Sequence, residues 1–85
     1  VVPDFRVLVI VRMREDLPEP QGMALEKVLK RLGYDKIREI RVGKVIEFNA
    51  SGESKEEVKK VVENLAKSIF SNPVIEDFEI RIEER

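Results

Sequence analysis

Gly43-Lys44 is the nearest approach to phosphate chemistry in this chain, since a glycine lets backbone N–H groups close on a phosphate and an adjacent lysine adds charge. The glycine five residues earlier and the serine or threonine after the lysine are missing, and a tight turn accounts for both residues. Arg38, Arg41 and Lys44 cluster at the same point and would suit an acidic surface or a phosphate. Basic residues on a strand also guard an exposed edge against aggregation, which is the plainer reading. Glu15-Asp16 with Glu19 offers oxygen ligands to a hard cation but lacks the alternating ligands, central glycine and terminal glutamate of a calcium loop, so a solvated loop is expected. Glu56-Glu57 and Glu83-Glu84 are adjacent rather than facing, which does not make an acid and base pair. With no histidine and no cysteine in the chain, Ser54 has no partner to activate it, and thiolate chemistry, disulfides and ordinary zinc sites are excluded. No catalytic, cofactor-binding or metal-ligating residue emerges.

The elements that would position these residues follow from the hydrophobic periods. Phe5, Val7, Val9, Val11 and Met13 share one parity between Phe5 and Arg14, a long strand with one apolar face. The acidic, proline-bearing stretch to Glu19 must turn before Pro20 or Gln21 opens a helix running to residue 32, with Leu25, Val28, Leu29 and Leu32 at helical spacing. Gly33 then supplies a left-handed cap closed by Tyr34. Lys36 to Val42 and Val45 to Asn49 both alternate and are separated by Gly43-Lys44, which predicts a hairpin. Ser54 and Glu57 form a capping box ahead of the stripe Val58, Val61, Val62, Leu65 and Ile69. Asn72-Pro73 stops that second helix, and Phe78, Ile80 and Ile82 alternate in a last strand.

The order β-α-β-β-α-β predicts an α+β, ferredoxin-like two-layer sandwich: one domain over residues 1–85, a four-stranded antiparallel sheet, and both helices on one face. The first and last strands are then neighbours, which sets Arg6, Arg12 and Arg14 beside Glu79 and Glu83. The 85 residues carry 17 acidic and 16 basic side chains, a net charge of -1, so the basic excess needed for general nucleic-acid binding is missing. Phe5, Phe48 and Phe78 all fall on the helix-packed parity, which argues against base stacking on the sheet. The longest apolar run, Val7 to Val11, is far too short to span a bilayer, and no leader opens the chain, so a cytoplasmic location is expected.

Leu8, Ile10, Ile37 and Val45 lie on the parity opposite the helices, which would leave both faces of the sheet apolar. A two-layer domain of that kind seeks a partner, and these four residues are the expected self-association face. The alternative is that Leu8 and Ile10 are single exposed residues lying under arginine stems.

Pro20-Gln21-Gly22, Leu32-Gly33-Tyr34, Arg41-Val42-Gly43-Lys44 and Asn72-Pro73-Val74-Ile75-Glu76-Asp77-Phe78 together resemble the PurS family, the small subunit of phosphoribosylformylglycinamidine (FGAM) synthase in purine biosynthesis. The resemblance runs through nearly the whole chain. Two departures are Glu19, where the family often has Asp, and the extra Val1-Val2-Pro3-Asp4 before the first strand. The resemblance implies a non-catalytic subunit, dimeric or a dimer of dimers. It would bridge an ATP- and magnesium-using synthetase (PurL-like) and a glutaminase (PurQ-like) and assist ammonia transfer to formylglycinamide ribonucleotide. Gln21, Gly22, Arg41, Gly43 and Lys44 are then the expected partner contacts. The same element order also serves dimeric regulatory modules that bind a small ligand, and the element order does not choose between them.

Overall fold

The computed structural model describes residues 2–85. It contains β1 (Asp4–Met13), α1 (Pro20–Arg31), β2 (Lys44–Ser51), α2 (Lys55–Leu65) with a π-helical turn at Ala66–Phe70, and β3 (Glu76–Glu84). The three strands form one antiparallel sheet in the order β2-β1-β3. β1 is central because its odd positions are apolar and mostly β-branched, the composition a strand needs when paired on both edges and covered on one face. Phe5, Val7, Val9 and Val11 are accordingly buried, with Ile46, Phe48 and Ala50 of β2 and Phe78, Ile80 and Ile82 of β3 packed beside them.

α2 covers this face with Val58, Val62 and, at the π turn, Ala66. Ser54 caps the helix by accepting the N–H of Glu57 at 3.2 Å, and the Glu57 carboxylate accepts the N–H of Glu53 at 3.1 Å, one residue short of the reciprocal bond of an ideal box. Phe70 ends the π turn with its ring 5.7 Å from that of Phe48, the two planes tilted by 52°. Asn72 then accepts the N–H of Val74 through its side chain and those of Ile75 and Glu76 through its carbonyl, folding the chain into β3.

The expected fourth strand is not in the sheet, and the expected hairpin is not formed. Residues 36–42 run back along α1, as the outer half of an arm comprising residues 20–42. Two observations explain this. Glu39 sits in the left-handed region at φ 58, which breaks the alternating strand, and gives its N–H to the Glu26 carboxylate at 2.7 Å. Gly43 is a point of close approach rather than a turn, since a Cβ there would stand 2.5 Å from the Val11 carbonyl oxygen. β2 begins directly after it, with Lys44 paired to Val11.

The expectation of both helices on one face is corrected with it: α2 alone covers the sheet, and α1 projects beyond its end. α1 stops as its sequence predicts. Gly33 at φ 92 donates to the carbonyl of Lys30 and Tyr34 to that of Leu29, the paired bonds of a Schellman motif. The molecule is therefore long and thin, 55 × 27 × 14 Å.

Candidate functional site

The base of the arm is organised by Glu19, which is expected from the sequence to lie in a solvated loop and instead caps α1. Glu19 holds the N-cap position of α1 and is only 7% exposed. One carboxylate oxygen accepts the N–H of Gly22 at 2.6 Å and that of Val42 at 2.8 Å, and the other accepts the N–H of Gln21 at 3.1 Å. A single side chain thus ties the start of the outgoing helix to the end of the returning segment. The available sequence signal was its place directly before Pro20-Gln21-Gly22, where a capping residue is required and none of the shorter cap formers is present.

The bond from Val42 holds the Glu19 carboxyl below the ordinary carboxylate value of 4.5; burial opposes this, and the N–H groups of Gly22 and Gln21 and the charge of Arg41 add to it. A carboxyl depressed in the folded state stabilises that state fully above its unfolded pKa and loses this contribution as pH falls through the folded value. The arm is therefore expected to loosen on acidification below about pH 4.5. Glu19→Gln keeps an acceptor for Gly22 and Val42 but has no charge to lose. Its arm amides should exchange faster than wild type at pH 7 and show a flatter dependence between pH 3 and 6. Identical pH profiles in the two proteins would rule out this role.

The five expected partner-contact residues all gather at this base, but in different roles. Gly22 is buried, and a Cβ there would meet the Ile40 carbonyl oxygen at 1.9 Å. Arg41 spends its guanidinium on the β1–α1 loop, donating to the carbonyls of Leu17 at 2.7 Å and Arg14 at 2.8 Å. Gly22, Gly43 and Arg41 therefore fix the backbone. Gln21 and Lys44 are exposed, and together with Gly43, Val42 and Glu76 they line an open hollow of about 260 Å³.

The uncovered face of the sheet is the second candidate. Leu8 and Ile10 of β1 are half-buried there, and Val45 of β2, directly opposite Ile10, is exposed. Ion pairs frame these apolar residues: Arg6 with Glu47, Arg12 with Glu79 at 3.2 Å, and Arg81 with Glu79 at 2.8 Å. Bonds from Arg81 and then Arg12 hold the Glu79 carboxyl below its ordinary value. The cross-strand pairing expected from the sequence is thus present for Arg12 with Glu79. Arg6 turns instead to β2, and Arg14 to Asp16 at 3.6 Å. Ile37 does not join this face, because it lies in the arm, where it is exposed.

Among the described residues, no three acidic, histidine or cysteine side chains gather as a metal site, and no helix is long and apolar enough to cross a membrane. Among the described residues, neither surface sets a nucleophile beside a base.

Comparison with known proteins decides the family. The family model described as PurS, phosphoribosylformylglycinamidine (FGAM) synthase, matches residues 6–84. The chain belongs to the PurS family. It is 33% identical to the PurS subunit of phosphoribosylformylglycinamidine synthase from Methanocaldococcus jannaschii, over 93% of this chain and 95% of that one. The crystal structure of the PurS subunit from Thermotoga maritima superposes with a TM-score of 0.88 at 28% identity, covering 98% of this chain and 95% of that one. A chain in the structure of PurLQS from the same organism matches with a TM-score of 0.87 at 28% identity, over 95% and 99%. The segments that carried the PurS resemblance can now be placed: Pro20-Gln21-Gly22 and Arg41-Val42-Gly43-Lys44 are the two sides of the arm's base, Leu32-Gly33-Tyr34 is its tip, and Asn72 onward leads into β3.

Proposed function

We propose that this chain is the non-catalytic small subunit of FGAM synthase, a ligase of purine biosynthesis, acting in the cytoplasm. It joins a PurL-like synthetase, which uses ATP and magnesium, to a PurQ-like glutaminase. The observation that carries the proposal is the family match across residues 6–84, in a fold shared with a chain of a structure named PurLQS. A subunit that holds the other two together accelerates amidation by proximity: ammonia released from glutamine reaches the activated amide of formylglycinamide ribonucleotide before solvent protonates it. This chain contributes position rather than reacting groups. Gln21 and Lys44 present the arm's base to a partner subunit, with Gly22, Arg41 and Gly43 holding that surface in shape. Leu8, Ile10 and Val45 form a self-association face.

The test is turnover by the matching synthetase and glutaminase with and without this chain, driven by glutamine or by ammonia. Glutamine-driven turnover is expected to fall to background without it while ammonia-driven turnover persists. Equal activity in both would sink the bridging role. Leu8→Asp places a charge at the centre of the open sheet face and is expected to lower the sedimentation coefficient of the isolated chain. An unchanged coefficient would show that the face is not used for self-association.

A further inference from the structure

We infer that the outer edge of β3 takes up a strand from the partner subunit that meets the arm's base, a segment with an apolar row on one side and a basic residue at each end of the other. The inference deepens the bridging role proposed above and rests on it. The ladder to β1 sets the direction of the backbone groups. Arg14 donates its N–H to the Ile75 carbonyl and Arg85 donates to that of Asp4, so the even-numbered residues of β1 bond the odd-numbered residues of β3. Phe78, Ile80 and Ile82 therefore turn both N–H and C=O away from β1, on a side where β3, last in the order β2-β1-β3, has no neighbouring strand. The register with β1 is unbroken, so no bulge bends this edge away, and Glu76–Glu84 contains neither proline nor lysine, the usual guards of an edge.

The side chains define what fits. On the helix-covered face Phe78, Ile80 and Ile82 are only partly buried, and an apolar row beside them would complete their cover. On the open face Arg6 and Arg12 stand opposite Glu83 and Asp77 but turn to Glu47 and Glu79, and among the described residues neither Glu83 nor Asp77 has an ion-pair partner. The matching segment has lysine or arginine at positions facing Asp77 and Glu83, with apolar residues facing Phe78, Ile80 and Ile82 between them. β1 itself, Arg6-Val7-Leu8-Val9-Ile10-Val11-Arg12, has this pattern and fills the inner edge.

A second copy does not offer such a strand. Its β1 is already paired on both edges, and its β3 is repelled, because residues 76–85 carry five acidic side chains (Glu76, Asp77, Glu79, Glu83, Glu84) against two basic (Arg81, Arg85), a net -3. The edge also begins at Glu76, which lines the same hollow as Gln21 and Lys44, so one partner surface reaches both.

The test mixes the full chain with the matching synthetase and glutaminase and reads amide exchange residue by residue. In the assembled complex the amides of Phe78, Ile80 and Ile82 should exchange about tenfold more slowly than in the isolated chain, or slower still, while those of Glu79 and Arg81, already bonded to β1, change little. Asp77→Lys with Glu83→Lys should weaken assembly by about tenfold or more, whereas Glu53→Lys with Glu56→Lys, an equal change of charge on exposed residues away from β3, should not. Methylating the Ile80 amide nitrogen in a synthetic chain removes an outward donor without touching a side chain or a bond to β1, and should weaken assembly equally with the circular dichroism spectrum retained. Assembly with unchanged exchange in β3 would overturn the inference and leave the bridging role standing. Protection at Val45, Glu47 and Asn49, the outward amides of β2, would overturn it by moving the docking edge. Protection of β3 in the isolated chain as its concentration rises would overturn it in favour of a second copy. Failure to assemble with either enzyme chain would overturn the bridging role as well.

Discussion

Gly22→Ala is expected to strip the arm of its helical order while the sheet and α2 stay folded. The added methyl would stand 1.9 Å from the Ile40 carbonyl oxygen and 2.5 Å from its carbonyl carbon, both backbone atoms with no rotamer to change. Overpacking typically costs about 1–3 kcal/mol, and an obstacle made of backbone lies at the upper end. The arm has little to set against that cost, because a helix shorter than about 12–15 residues is marginal in water unless something else holds it. What holds this one is the set of bonds from Glu19 to both halves of the arm, and the methyl forces those halves apart. Hydrogen exchange separates the outcomes: amides of residues 20–42 should lose protection while those of β1 keep theirs. Full protection in the arm would show that the contact is relieved without parting the two segments.

Val9→Ala is expected to act in the opposite manner, lowering the stability of the whole domain. Val9 is fully buried on the central strand, paired with Ile46 on one side and Ile80 on the other. Two carbon groups at about 0.8 kcal/mol each, with a cavity contribution added, give a loss of about 2–3 kcal/mol. A chain of 85 residues has a total stability of about 4–13 kcal/mol, so this is a substantial fraction of it. At about 4–8 °C per kcal/mol the melting temperature should fall by roughly 10–20 °C, with every protected core amide affected together. A fall of less than about 5 °C would mean that the neighbouring side chains close over the gap.

These two sites also mark how far the sequence could be read. The run from Phe5 to Val11 announces its strand and its buried face because the period of two is local and β1 obeys it throughout. Gly33-Tyr34 and Ser54-x-x-Glu57 announce helix ends for the same reason, since each cap is made within a few residues. The fate of residues 36–42 is not local. Their alternation reads the same whether they pair with β2 or lie along α1, and the deciding facts are the left-handed Glu39 and the contact of Gly22 with Ile40. Gly43 was legible as a special position but not as the right kind, because a hairpin and a close backbone approach both ask for glycine. Glu19 was hidden because its most distant partner, Val42, is 23 residues away. At the open sheet face the common side of Leu8, Ile10 and Val45 was legible, but Ile37 belongs to the arm and not to that face; at the arm's base the sequence did not show which residues face outward, and Gly22, Gly43 and Arg41 serve the backbone.

The π-helical turn leaves the chain one residue to spare. The N–H of Ser71 reaches back five positions to the carbonyl of Ala66 at 2.9 Å, where an α-helix would reach back four. Removing one residue from this turn, such as the exposed Lys67, would let it rewind as α-helix and still deliver Phe70 to Phe48 and the chain to the start of β3. The same deletion inside α2 would rotate everything beyond it by about 100° and pull Val62 or Ala66 off the sheet. Changes of length in this fold are therefore absorbed between α2 and β3, and homologous chains that differ by a single residue here would keep the same sheet.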